Sequence, residues 1–303
     1  MTHVAVLMGG MSAERPVSLK TGEACAAGLE RAGYEVTRLD VGTDLVERLK
    51  SIRPDVAFNA LHGPMGEDGS IQGILEFLGL PYTHSGVLAS ALAMDKARAK
   101  AVMAAAGIPV AEHVTCTRFE AAAQHMMEPP YVVKPVAEGS SFGVTIVREG
   151  ANRPPAQLAA EDWPYGDAMM AERFVDGREL TCGTFGDIVY DIIEVVPVSE
   201  EFYGFDAKYA VGGSTHILPA SLKPNIYQAI QKYTQLAHRA LGCRGVSRAD
   251  FRYDPEKDDL VCLEVNTQPG MTETSLVPEM AAHAGMDFPA LVAAMVEDAS
   301  CQR

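Results

Sequence analysis

The sequence predicts an α/β fold of more than one domain, on three observations. Short apolar strands alternate with helical patterns through the first ninety residues, strand-and-turn patterns follow in the rest, and 303 residues, 48% of them hydrophobic, exceed what one small core organises. The early alternation predicts a parallel sheet with strands at 3–8, 34–40 and 56–59, and a helix over 17–32 that Gly33 terminates. Pro54 and Pro81 precede strand-like segments. A second section, 97–184, holds a helix at 96–106 ended by Gly107-Ile108-Pro109 and strands at 131–135, 144–147 and 168–174, and reads as a small α+β unit. The remainder carries strands at 180–184, 188–197, 246–253 and 260–265, a glycine-rich and aromatic loop at 199–220, and helices at 225–241, 278–284 and 289–299. No internal repeat or low-complexity tract interrupts this order.

Charge and composition exclude several classes of function. The formal charge of −15, from 25 basic against 40 acidic residues, excludes a general nucleic-acid-binding surface. No apolar run approaches the roughly 18 residues of a membrane span. The start, Met-Thr-His-Val-Ala-Val-Leu-Met-Gly-Gly, lacks a basic n-region, so a soluble and unexported protein is expected. The six cysteines (25, 116, 182, 243, 262 and 301) form no CxxC pair, which predicts reduced thiols in place of disulfides or a zinc site.

Two strands near the C-terminus carry the strongest chemical signal. Side chains alternate along a strand, so Glu264 and Asn266 project from one face while Val261, Leu263 and Val265 take the other. Before them, Arg248 and Asp250 share a face opposite Ala249, Phe251 and Tyr253, and the segment 254–259 turns the chain between the strands. Asp250, Glu264 and Asn266 make an all-oxygen set suited to Mg²⁺, which is held by few protein oxygens together with substrate phosphates. The alternative is a hairpin with two solvated faces.

Upstream, strand 131–135 brings Lys134 to the root of a loop, 136–143, in which Gly139 and Gly143 allow close backbone approach and Ser140 and Ser141 offer hydroxyls to phosphate. The loop leads to a strand and lacks GxxxxGK[ST], so it is no P-loop; an ordinary β-hairpin is the competing reading. Glu172 and, seven residues on, Glu179 are acceptors of the kind an adenine edge and a ribose need, although strand–turn–strand segments of this type are common. At the end of strand 3–8 a Gly9-Gly10 turn lies where α/β sheets bind ligands. Glu14 there either holds an ammonium group or favours the positive end of the next helix.

Taken together these segments resemble a family. Met-Gly-Gly-Met-Ser-Ala-Glu-Arg (8–15), Ala-Leu-His-Gly (60–63), Gly-Glu-Asp-Gly (66–69), Gln-Gly (72–73), Tyr-Thr-His-Ser-Gly-Val (82–87), Met-Asp-Lys (94–96), Val-Lys-Pro (133–135), Glu-Gly-Ser-Ser (138–141), Ala-Lys-Tyr (207–209) and Glu-Val-Asn-Thr-Gln-Pro-Gly-Met-Thr (264–272) are similar, in order, to the motifs of D-alanine–D-alanine ligases. The resemblance implies a three-domain ATP-grasp architecture: a Rossmann-like parallel sheet at 1–95, a small α+β lid at 96–184, and a C-terminal α+β domain at 185–303 with the active-site loop 199–220. It implies a reaction in which ATP phosphorylates the first D-alanine and the amine of the second displaces phosphate, supplying peptidoglycan precursors in a bacterial cytoplasm.

By the same resemblance, two Mg²⁺ ions, or Mn²⁺ in their stead, sit on Asp250, Glu264 and Asn266. ATP contacts fall to Lys96, Lys134, Ser141, Glu172, Phe174, Val175 and Glu179. Glu14, Ser140 and Tyr209 form a hydrogen-bonded chain across the closed site, with Glu14 on the first substrate's ammonium. Arg248 and the Gly270 N–H stabilise the oxyanion, Ser275 and Leu276 grip the second carboxylate, and Lys208 reaches the transferred phosphoryl group. Tyr209 goes with peptide formation, as opposed to depsipeptide formation. His62 is either a substrate-side histidine or a structural one bonded to a neighbouring loop. A homodimer through the first domain is implied, with no nucleic-acid or membrane partner. Another carboxylate–amine ligase, a depsipeptide ligase and a nucleotide-binding regulator without turnover are the alternatives; the set Arg248, Asp250, Glu264 and Asn266 argues against the last.

Overall fold

The computed structural model describes residues 1–198 and 213–302. Strand β1 (His3–Met8) lies between β2 (Glu35–Asp40) and β3 (Val56–Asn59), all parallel, with Val4 beside Val36 and Val56. Helices cover both faces, which is why β1 is an unbroken apolar run. Val4 and Val6 pack against α1 (Arg15–Arg31) and the last helix, whereas Ala5 and Leu7 pack against α2 (Leu45–Ile52) and α3 (Ser70–Leu78). Two further helices follow, α4 (Val87–Met94) and α5 (Lys96–Ala105), the second capped by the Asp95 carboxylate on the Arg98 N–H.

A four-stranded antiparallel sheet comes next, in the order β4 (His113–Thr117), β7 (Ala168–Arg173), β5 (Tyr131–Pro135), β6 (Thr145–Val147). Helix α6 (Arg118–Ala123) opens with a capping box between Thr117 and Glu120. The third sheet runs β11 (Ser214–Ile217), β10 (Ile193–Pro197), β8 (Arg178–Phe185), β12 (Val246–Asp254), β13 (Asp259–Asn266), with β9 (Ile188–Val189) on β8. Helices α7 (Pro224–Ala240), α8 (Leu276–His283) and α9 (Phe288–Glu297) pack around it and the first sheet.

Several expectations are corrected here. The segment 188–197 is two strands, β9 and β10, with Tyr190, Asp191 and Ile192 between them. Part of the expected loop 199–220 is strand β11; residues 199–212 lie outside the described residues. The strict alternation expected along β13 fails. Asp250 pairs with Glu264 but Phe251 pairs with Cys262, so Leu263 is the extra residue of a β-bulge. Cys262 and Val265 therefore join Phe251 and Tyr253 in the core, while Val261 and Leu263 pack with Ala111 and Val175. Four of the six cysteines, Cys25, Cys182, Cys243 and Cys262, are buried thiols, whereas Cys116 and Cys301 are only partly buried, and burial pushes Cys182, Cys243 and Cys262 up to about 12. Among the described residues no helix is long and apolar enough to cross a membrane.

Candidate functional site

The β12–β13 register sets Arg248 opposite Asn266 and Asp250 opposite Glu264, so the four polar side chains anticipated from strand alternation come together. Arg248 grips Asp250 with two hydrogen bonds, Nε to Oδ1 at 2.8 Å and Nη2 to Oδ2 at 2.7 Å. Thr181 on β8 donates to Oδ1 at 2.7 Å and Asn266 Nδ2 to Oδ2 at 2.9 Å, which fixes the carboxylate in place. Lys96, at the start of α5, lies 3.5 Å from Glu264 Oε2 and also donates to the Glu138 carbonyl. Among the described residues no three His, Cys, Asp or Glu side chains form a ready-made metal cage. Two carboxylates and an amide are nonetheless a hard-oxygen set of the sort Mg²⁺ takes when phosphates supply the remaining ligands.

Opposite this pair, the glycine-containing loop meets the first sheet. Ser140 Oγ donates to Glu14 Oε1, across 126 residues of sequence. Glu14 is buried and stands at the N-cap of α1, where its side chain makes no capping hydrogen bond. A Cβ at Gly63 or Gly139 would come within 2.6 or 3.0 Å of Glu14 Oε2, so both backbones are packed on the carboxylate. Ser140 and Ser141 adopt left-handed backbone (φ 49° and 60°), a conformation costly for residues with a Cβ. Below them Glu67 accepts the Gly63 N–H at 2.6 Å, and burial with the nearby Glu14 charge pushes its carboxyl up to about 8.

Lys134 and Glu172, both buried, pair at 2.5 Å across β5 and β7. A third member, Lys100 on α5, lies 3.0 Å from Glu172 and is wholly buried. Burial opposes the Glu172 charge, but the two ammonium groups outweigh it and hold the carboxyl down to about 2. Burial likewise opposes the charge on Lys134, and the carboxylates of Glu172 and Glu264 outweigh it and raise that group. Beside this triad, Arg252 donates to the Val175 carbonyl at 3.1 Å and to Glu179 at 3.3 Å, and its guanidinium lies 5.8 Å from the Phe174 ring centre. The Phe174 N–H is engaged with the Pro130 carbonyl at 3.2 Å. Val175, Val261, Ala111 and Leu263 form a small apolar patch there.

Beyond β13 the chain turns through Gly270, where an added Cβ would lie 3.4 Å from Ser275 Oγ. Ser275 begins α8, accepts the Thr272 N–H at 3.0 Å and is 2.8 Å from the Thr272 hydroxyl; Leu276 is the first helical residue and packs on the core. His62 is buried, with Nε2 3.1 Å from the Thr21 hydroxyl. Burial, then the Arg248 charge, lowers it to about 4, so it is neutral at pH 7. Lys208 and Tyr209 lie outside the described residues.

Comparisons with known proteins agree with one another over the whole chain. The family described as D-ala D-ala ligase C-terminus matches residues 102–297, and that described as D-ala D-ala ligase N-terminus matches 42–85. The chain is 62% identical to a D-alanine–D-alanine ligase of Agrobacterium fabrum and to one of Chelativorans, over 99% of both chains in each case. The chain belongs to the D-alanine–D-alanine ligase family. A crystal structure of the Bacillus anthracis D-alanine–D-alanine ligase complexed with ATP superposes with a TM-score of 0.83 at 29% identity, over 98% of this chain and 97% of that one. The architecture is therefore the ATP-grasp fold of these ligases.

Within the ligase frame, three side chains that sequence reasoning left without a role stand out. Lys100, inside the helix expected at 96–106 and given no role there, completes the buried charge triad. Glu67 belongs to the motif 66–69 that contributes to the family resemblance, and its carboxylate accepts the Gly63 N–H. Gln268 joins the C-terminal sheet to the first one, accepting from Asn59 Nδ2 at 2.7 Å and donating to the Leu61 carbonyl.

Proposed function

We propose that the chain joins two D-alanine molecules to D-alanyl-D-alanine through an acylphosphate, consuming ATP and releasing ADP and phosphate for peptidoglycan precursor synthesis. Lys96 carries the reading. It connects the loop carbonyl of Glu138 to Glu264, so the candidate phosphate-binding loop and the candidate metal face share one cation. Lys134 and Lys96 bear the positive charge that a transferred phosphoryl group needs. Asp250, Glu264 and Asn266 would hold Mg²⁺, or Mn²⁺, which when bound neutralises charge on the ATP phosphates. The apolar patch of Val175, Val261 and Leu263 suits an adenine ring, with backbone groups of Phe174 and Val175 at its edge and Glu179 near the ribose.

Glu14 would take the ammonium of the first D-alanine and, with Ser140 already bonded to it, keep that substrate under the loop. The second D-alanine's amine attacks the acylphosphate carbonyl; the oxyanion that forms lies within reach of Arg248 and the Gly270 N–H, donors fixed before reaction by the Asp250 grip and the turn. The carboxylate of that second substrate would sit at Ser275 and Leu276, the N-terminus of α8. Lys208 and Tyr209 are assigned by family motif alone. The same reading has three units, 1–95, 96–184 and 185–303, a cytoplasmic homodimer, and no nucleic-acid or membrane partner.

The test is product analysis. Protein with ATP, Mg²⁺ and D-alanine should release phosphate and form a dipeptide of the mass of D-Ala-D-Ala, with L-alanine inactive and D-lactate giving no depsipeptide. ATP binding without D-alanine-dependent phosphate release would overturn the ligase reading in favour of a regulator, and a depsipeptide would move it to the other ligase class.

A further inference from the structure

The edge strand β11 carries His216, whose Nδ1 lies 2.6 Å from Glu279 Oε2 on α8. Both side chains are partly buried, His216 at 21% and Glu279 at 35% exposure. Glu279 stands in the first turn of α8, and its N–H donates to the Ser275 carbonyl at 3.0 Å. The His216 Nε2 faces Ser214 Oγ at 3.4 Å, so the ring is oriented from both sides. One turn further along α8, His283 lies 3.4 Å from Asp191, a second contact between this helix and the β9–β10 segment.

This arrangement answers an electrostatic conflict. A helix N-terminus attracts a carboxylate, but an acidic side chain in the first turn competes for the same positive end. If the second substrate's carboxylate binds at Ser275 and Leu276, Glu279 puts a like charge roughly 6 Å along the helix axis. We infer that His216 is a positioning residue for the second substrate: by donating Nδ1–H to Glu279 it holds that carboxylate toward β11 and off the helix axis, leaving the helix N-terminus to the substrate. The inference rests on the ligase reading and on the Ser275–Leu276 part of it.

The experiment is steady-state kinetics resolving the KM of each D-alanine and of ATP, on wild type, His216→Phe, His216→Gln, Glu279→Gln and the His216→Phe/Glu279→Gln double variant. His216→Phe should raise the KM of the second D-alanine about two- to fivefold, the effect of one carboxylate left to compete for a helix N-terminus. The first D-alanine and ATP constants should hold, which also reports an intact fold. His216→Gln keeps a donor for Glu279 and should stay near wild type. Glu279→Gln in the His216→Phe background should restore the constant, because no acidic side chain is left to compete for the helix N-terminus; a purely structural contact would not be rescued in this way. An unchanged second KM in His216→Phe, or no recovery in the double variant, overturns the inference while a ligating wild type leaves the ligase reading standing. A wild type that forms no dipeptide sinks both.

Discussion

Replacing Glu172 by glutamine should be among the most damaging single-charge changes available in this protein. The carboxylate lies between Lys134 at 2.5 Å and Lys100 at 3.0 Å, with side-chain exposures of 4%, 9% and 0% for Glu172, Lys134 and Lys100. The substitution removes the carboxylate that both ammonium groups share: Lys134 keeps only the more distant charge of Glu264, and Lys100, which burial already lowers, loses its ion-pair partner. Breaking a buried pair by removing one partner costs about 3–5 kcal/mol, because the remaining charge has no compensation. At about 1.6 °C per kcal/mol for a chain of this size, the apparent Tm should fall by about 5–8 °C. Thermal melts and urea midpoints on the ligand-free protein measure it. Adding Lys100→Met to the Glu172→Gln variant should return at least half of the loss, since the surplus charge is removed and a side chain of similar length fills its channel. A Glu172→Gln midpoint within about 0.5 kcal/mol of wild type would refute the reasoning, for it would mean that the lysines are hydrated or neutral in the folded protein.

Three further outcomes follow from the same geometry. His62 is lowered to about 4 from 6.5, so between those values the unfolded chain binds a proton that the folded one does not; stability should rise with pH across that window and be lost as pH falls through it, by up to about 3 kcal/mol, and urea midpoints of wild type against His62→Gln should show that part of the slope vanish. Gly139→Ala brings a methyl group to 3.0 Å from Glu14 Oε2 and should raise the KM of the first D-alanine more than that of ATP; equal effects on both constants would contradict the assignment of Glu14. Asp250→Ala or Glu264→Ala should lower kcat by at least about 100-fold and weaken the dependence of rate on Mg²⁺ concentration, whereas near-wild-type turnover in either would remove the metal assignment.

The legible part of the site was the part governed by period-2 alternation. Arg248, Asp250, Glu264 and Asn266 meet because adjacent antiparallel strands share a face, and a turn of 254–259 leaves little freedom of register. The bulge at Leu263 escaped that logic, since nothing in the residue pattern of an apolar strand marks where an extra residue falls; only the pairing with β12 shows it. It matters because it carries Leu263 to the patch beside Val175. Lys100 was hidden for a different reason: nothing local distinguishes a lysine on a buried helix face from a solvated one until its partner on β7 is brought alongside. The contact between Ser140 and Glu14 spans the molecule and came from family resemblance alone. The short helices α2, α3 and α4 went unread, while β1, an apolar run covered on both faces, was read with its observed ends.

The central claim is that the first D-alanine becomes an acylphosphate held near Glu14 and Arg248, and the most direct measurement follows the oxygen. D-alanine labelled with ¹⁸O in its carboxylate should transfer one labelled oxygen to inorganic phosphate for each dipeptide formed, because the bond broken by the attacking amine is the carbonyl carbon's bond to that oxygen. Phosphate released without label, alongside normal dipeptide formation, would contradict the account.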